Sequence, residues 1–226
     1  MPNHVNNAFT VEGKAKDVDK FIKLATQNGE SEFKFQNLYP MPDELNITSG
    51  SSTDQAIAYY KTINEGDTES IDSYLDMKWM REYFPKDHDL SIRRSIVLGY
   101  FLADLNDKAL AEGKQAIINK QKYGHKDWRS WSNKHWGTKW DCYEVVDVSR
   151  VETKDGSVEA YWNFDTAWDI PRGFVRFLTN TFPKLTFSIE GLCESGWKET
   201  LTLRNGKLIS SEYLEADQIE EDYKQC

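Results

Sequence analysis

Two changes of hydrophobic period divide this sequence, and they restrict the folds open to it more than any other feature. From residue 47 to 122 the apolar residues recur at helical spacing, while on both sides they fall into alternating runs broken by turn signals. At the start, Val5, Phe9 and Val11 lie on alternate positions ahead of Gly13, as in a half-buried strand. Val18, Phe21, Ile22 and Ala25 then follow a helical stripe that Asn28-Gly29 stops. Phe33 and Phe35 alternate into a second strand, closed by Tyr39-Pro40-Met41-Pro42 because a proline has no N–H for the ladder.

After the small polar stretch 46–53 come four helical stripes: Ala56 to Ile63, Ile71 to Trp79 (ending near Pro85), Ile92 to Ala103, and Leu110 to Ile117. From Cys142 the strand signal returns. Tyr143, Val145 and Val146 precede Asp155-Gly156, a two-residue hairpin signal, and Val158, Ala160, Trp162 and Phe164 follow it. Asp169 is placed to cap a helix with Pro171 in its first turn and a stripe of Phe174, Phe177, Leu178 and Phe182. Leu185, Phe187 and Ile189 make another strand, and Asn205-Gly206 turns a final hairpin. The pattern predicts an α+β protein: an antiparallel sheet domain over residues 1–46 and 123–214, a helical insertion over 47–122, and an acidic tail over 215–226.

Composition narrows the function classes. A net charge of −9 is poorly suited to holding a phosphate backbone, which argues against a nucleic-acid partner. Lys114, Lys120, Lys122, Lys126, Arg129 and Lys134 read as solvated helix faces. The chain opens without a basic leader or an apolar run, no stretch reaches the length of a membrane span, and the three cysteines form no paired motif. These features place the expected location in the cytoplasm. His4, His88, His125 and His135 have no metal-ligand spacing, and no phosphate-loop, dinucleotide or nucleophile-elbow motif occurs, so no metal, cofactor or reaction is indicated. Cys142 with His135 is the one nucleophile–base pairing the sequence offers, and Cys142 reads better as a packed strand residue.

One segment stands out chemically. Trp128, Trp131, Trp136 and Trp140 hold half of the eight tryptophans, interleaved with Lys, Asn, His and Asp. Counting back from a tight turn at Asp155-Gly156 sets Tyr143 opposite Trp168, which brings Trp136–Asp141 beside Thr166–Pro171 at one end of the sheet. Trp136, Gly137, Thr138, Lys139, Trp140, Asp141, Thr166 and Trp168 are the candidate ligand- or partner-binding residues, with His4 at the same end. Indole faces stack bases, sugars or cations, and Lys139 and Asp141 supply charge. The opposing reading is that Trp136 and Trp140 plug the open end of the sheet while Gly137 serves a turn.

Four stretches carry a resemblance: Met1-Pro-Asn-His-Val with Val11-Glu-Gly13, Phe35 through Tyr39-Pro-Met-Pro-Asp-Glu-Leu45, Trp136-Gly-Thr-Lys-Trp-Asp141, and Phe164-Asp-Thr-Ala-Trp168 with Pro171. In this order they resemble an uncharacterised family with a ferredoxin-like domain, encoded largely by bacteriophages, prophages and plasmids. The resemblance implies a ferredoxin-like antiparallel sheet with helices on one face and a mobile-element origin, and it implies no reaction. The expectation is a non-enzymatic binding protein of the bacterial cytoplasm with a host protein, such as one of a defence system, as partner. The alternative is a nucleotide- or sugar-binding protein using a Trp-rich pocket.

Overall fold

The computed structural model describes residues 3–26, 33–83, 89–154 and 156–218. Met1-Pro2, Asn28-Gly29, Pro85, His88, Asp155 and the tail beyond Gln218 lie outside the described residues. The chain divides into two units, one formed by 1–41 with 131–226 and the other by 42–130. The division thus falls a few residues outside the period changes at 47 and 122.

In order, the elements are β1 (His4–Gly13), α1 (Ala15–Ala25), α2 (Phe35–Leu38), a 3-10 turn at Asp43–Leu45, α3 (Ser51–Glu65), α4 (Glu69–Asp72), α5 (Lys78–Tyr83), α6 (Leu90–Asp104), α7 (Asp107–Tyr123), α8 (Trp128–His135), β2 (Tyr143–Glu152), β3 (Val158–Ala167), α9 (Arg172–Thr181), β4 (Thr186–Cys193), β5 (Trp197–Arg204) and β6 (Lys207–Glu215). The protein is α+β.

The first unit is an antiparallel sheet in the order β2-β3-β1-β4-β5-β6. The sequence β1-α1-β2-β3-α9-β4 with its inner order β2-β3-β1-β4 is the split βαβ arrangement of ferredoxin-like domains, extended by the β5-β6 hairpin. Alternation along β1 buries Val5, Asn7, Phe9 and Val11 and turns Asn6 and Ala8 outward. On the buried face, Phe9, Phe21 of α1, Phe33, Phe35, Trp162, Phe164, Phe174 of α9 and Phe187 are all essentially inaccessible. Phe35 stacks on Phe174 with centroids 4.2 Å apart, and Phe33 meets Trp162 at 5.2 Å. Ring pairs of this kind add about 0.5–1.5 kcal/mol each beyond their burial, so rings carry most of this core.

Several local expectations give way. Phe35 begins α2 rather than a strand, because the Asp141 carboxylate accepts from the N–H groups of Phe35 (2.8 Å) and Gln36 (3.1 Å) and starts a helical turn there. The β2-β3 connection is longer than two residues: Glu152 pairs with Val158, and Thr153 closes the loop on Ser157. With two irregularities in β2 as well, Tyr143 lies opposite Asp165, not Trp168. Asp169 does not cap α9. Its carboxylate takes the N–H of Ile170 and the Arg172 guanidinium, and Pro171 is the capping position without a side-chain bond. Trp128–His135, the first part of the Trp-rich segment, is helix α8.

The second unit is helical. Ala56, Ile71, Leu75, Met80, Val97, Phe101 and Ala109 belong to its buried cluster. The stripe expected as one helix over Ile71–Trp79 is split into α4 and α5. Arg94 of α6 grips Asp72 with two bonds (2.8 and 2.6 Å), and Arg93 donates to the Leu75 carbonyl, so the chain between α4 and α5 is held by side chains. Gly113 lets α7 approach α3 closely: a methyl group there would lie 2.4 Å from Ala56 Cβ. Asn119 donates to the Glu44 carbonyl (2.7 Å), and Lys122 pairs with Glu44 (2.9 Å), which ties the 3-10 turn into this unit. Among the described residues, no helix is long and apolar enough to cross a membrane.

Candidate functional site

The loop after α8 runs into β2, and the loop after β3 runs into α9; both lie in the sheet unit. Their residues separate into a buried layer that builds the corner and an outer layer that offers chemistry.

The buried layer is structural. Trp136 is 5% exposed and donates its indole N–H to the Tyr39 carbonyl at 3.0 Å. The Trp136 carbonyl in turn accepts from the Phe174 N–H at 3.0 Å, taking one of the donors that every helix leaves open in its first turn. A backbone carbonyl therefore serves the α9 start where a side-chain cap from Asp169 was expected. Gly137 has φ +88°, the left-handed region that favours glycine, and a Cβ there would lie tightly against the backbone nitrogens of Arg172 and Gly173 (3.2 and 3.1 Å). Thr138 is buried and donates to the Trp140 carbonyl (2.7 Å). Thr166 is fully buried, donating to the Asp169 carbonyl (2.7 Å) and accepting from Asn7 (2.9 Å).

Asp141 belongs to the same layer. Besides Phe35 and Gln36 it accepts from the Cys142 N–H (2.8 Å). Burial pushes its carboxyl above the ordinary range, against the backbone donors that pull it down. A carboxylate spent on three N–H groups has little left for a ligand. Cys142 is equally committed: its thiol is 2% exposed, contacts the Phe33 carbonyl, and is pushed well above its usual value by burial and the neighbouring Asp141. Burial and the bond to the Phe33 carbonyl favour the neutral thiol, which suits a packed residue better than the nucleophile of a Cys142–His135 pair.

The outer layer brings exposed Trp168 together with Lys139 and Trp140, which are half-buried. Lys139 Nζ sits 4.5 Å from the Trp140 ring centroid and 4.8 Å from that of Trp168, a cation shared by two indoles. Trp168 is 43% exposed at φ +76°, a conformation that a bulky L residue reaches only under strain of about 1–3 kcal/mol. Two bonds hold the turn in this state: the Trp168 N–H to the Asn3 carbonyl (2.9 Å), and Thr166 to the Asp169 carbonyl. His4 joins through Tyr143, whose hydroxyl lies 2.7 Å from His4 Nδ1, while the His4 N–H donates to Glu194 (2.9 Å). Tyr143 also faces Trp140, with centroids 6.5 Å apart.

Of the nine candidate residues, then, Lys139, Trp140, Trp168 and His4 form a surface cluster, while Trp136, Gly137, Thr138, Asp141 and Thr166 form its support. Tyr143 was missed, although its place two residues after Asp141 on a strand start was a usable signal. Among the described residues, no group of three His, Cys, Asp or Glu side chains is arranged to hold a metal.

No family model matches the chain, and no curated protein sequence does. A solved structure that is similar is the crystal structure of protein api92 from Yersinia pseudotuberculosis, described under the family model DUF1281. It has 11% identity with this chain, covers 95% of this chain and 98% of its own, and has a TM-score of 0.41.

Proposed function

We propose that this chain is a non-enzymatic protein-binding module, encoded by a phage or plasmid, that engages a host protein in the bacterial cytoplasm through Trp168, Lys139 and Trp140, with a defence protein as the expected target. The observation that carries the reading is Trp168 itself. The fold accepts backbone strain to hold this indole outward, when burying it would gain about 25 cal/mol for each Å² removed from water. Exposed, rigid tryptophan and tyrosine side chains are the residue types that dominate binding energy at protein interfaces. The mobile-element origin and the host target rest on the four-motif resemblance.

The nucleotide- or sugar-binding alternative is weaker at these residues. Lys139 already lies over one face of each indole, at about 0.5–1 kcal/mol per cation–π contact, so a ring stacking there must displace it. A protein surface can instead use the Trp–Lys–Trp unit as one preformed anchor. The test is a double variant, Trp140→Ala with Trp168→Ala, titrated against the partner beside the wild type. We expect at least a 30-fold loss of affinity, about 2 kcal/mol, with an unchanged thermal transition. Undiminished affinity in the folded double variant overturns the proposal.

A further inference from the structure

A second feature of the sheet unit uses different residues and points to a different ligand. A cleft of about 460 Å³ lies where the end of α8 meets α9. Lys134 and His135 reach it from the last turn of α8, and Arg172 and Arg176 from successive turns of α9. No described residue lining it is acidic, although the chain as a whole holds 37 Asp and Glu against 28 Lys and Arg. The cleft is therefore a local positive exception on an acidic protein.

We propose that this cleft binds a small molecule through its phosphate group. Two features of its construction favour that chemistry. The volume lies within the range of small-molecule sites, about 300–1,000 Å³. Arg176 and Lys134 are exposed cations on two elements, able to take a tetrahedral anion from two sides, and arginine forms paired bonds to phosphate oxygens.

The remaining lining residues add rigidity and an apolar wall. Tyr39 stacks on Phe177 with centroids 3.8 Å apart and planes 7° from parallel, and its hydroxyl contacts His135 Nδ1 at 2.6 Å. His135 in turn stacks on Trp131 at 4.5 Å. Arg172 is already paired with Asp169 and Glu199, so its charge is offset and its role is to shape the wall. The net attraction for an anion falls to Arg176 and Lys134. A phosphate could arrive on a nucleotide or on a sugar; the apolar wall of Tyr39 and Phe177 accepts either.

Isothermal titration at low ionic strength with AMP, ribose 5-phosphate, inorganic phosphate and adenosine distinguishes these sources. We expect saturable binding of at least one phosphate-bearing probe, none of adenosine, and at least a tenfold weakening in the Lys134→Ala/Arg176→Ala double variant, which alters exposed side chains only. AMP binding above ribose 5-phosphate identifies a nucleotide site, and equal binding of the three anions identifies a site for phosphate alone. No saturable binding of any anion at millimolar concentration, or binding that the double variant leaves unchanged, overturns the proposal. Neither result bears on Trp168, so the partner surface and the cleft stand or fall separately.

Discussion

Replacing Gly173 by alanine is expected to lower the thermal midpoint of the sheet unit by about 6–12 °C. A Cβ at this position would lie 2.4 Å from the His135 carbonyl oxygen, 2.9 Å from its carbon and 3.2 Å from the Trp136 carbonyl carbon. These are backbone atoms, so no flexible side-chain end can swing aside, and the start of α9 must part from the loop that carries Trp136. Overpacking of this kind costs about 3 kcal/mol, and each kcal/mol moves the midpoint of a domain this size by about 2–4 °C. The same separation would break the Trp136 carbonyl bond to the Phe174 N–H. Unfolding followed by near-ultraviolet circular dichroism of the tryptophans reads this directly, and a midpoint within 2 °C of wild type would show that the loop and helix are not in contact as described.

Asp141→Ala should be about as damaging, for a different reason. It leaves the N–H groups of Phe35, Gln36 and Cys142 without their acceptor, and an unsatisfied buried donor costs about 1–3 kcal/mol. Because the three share one pocket, their losses will not add fully, and we expect about 3 kcal/mol in denaturant unfolding. Asp141→Asn separates capping from charge. Its amide oxygen can keep the Oδ1 bonds to Phe35 and Cys142 and loses the weaker one to Gln36, so it should cost about 1 kcal/mol. Burial already disfavours the charged form of Asp141, so little is lost with the charge itself. If alanine and asparagine cost the same, the cap account is wrong.

The two substitutions also mark where the sequence was readable. Alternation in β1 and β3 and the stripe of α9 could be read directly, because each records which face meets the core, and that repeats every two residues in a strand and every 3.6 in a helix. Phe35 was misread because its conformation is decided by a carboxylate 106 positions away, which no local pattern contains. The pairing of Tyr143 was misread because the irregularities of β2 insert residues that periodicity counts as paired. The site shows the same split. Composition alone singled out the two Trp-bearing loops, since indoles beside Lys and Asp are rare in a core. Which of those residues turn outward depended on φ at Trp168 and on hydrogen bonds to Tyr39 and Phe174, neither of which has a signature in sequence. The cationic cleft had a partial signal: Arg172 and Arg176 stand four apart on a predicted helix, beside the apolar stripe.

The most direct test of the proposed binding surface is photo-cross-linking inside bacterial cells, with a benzophenone amino acid at position 168 in one strain and at position 118 in another. Ile118 is 52% exposed on α7 in the helical unit and serves as the reference surface. The account predicts one discrete protein adduct from position 168 that is absent from position 118. No adduct at 168 beyond that seen at 118 would contradict it.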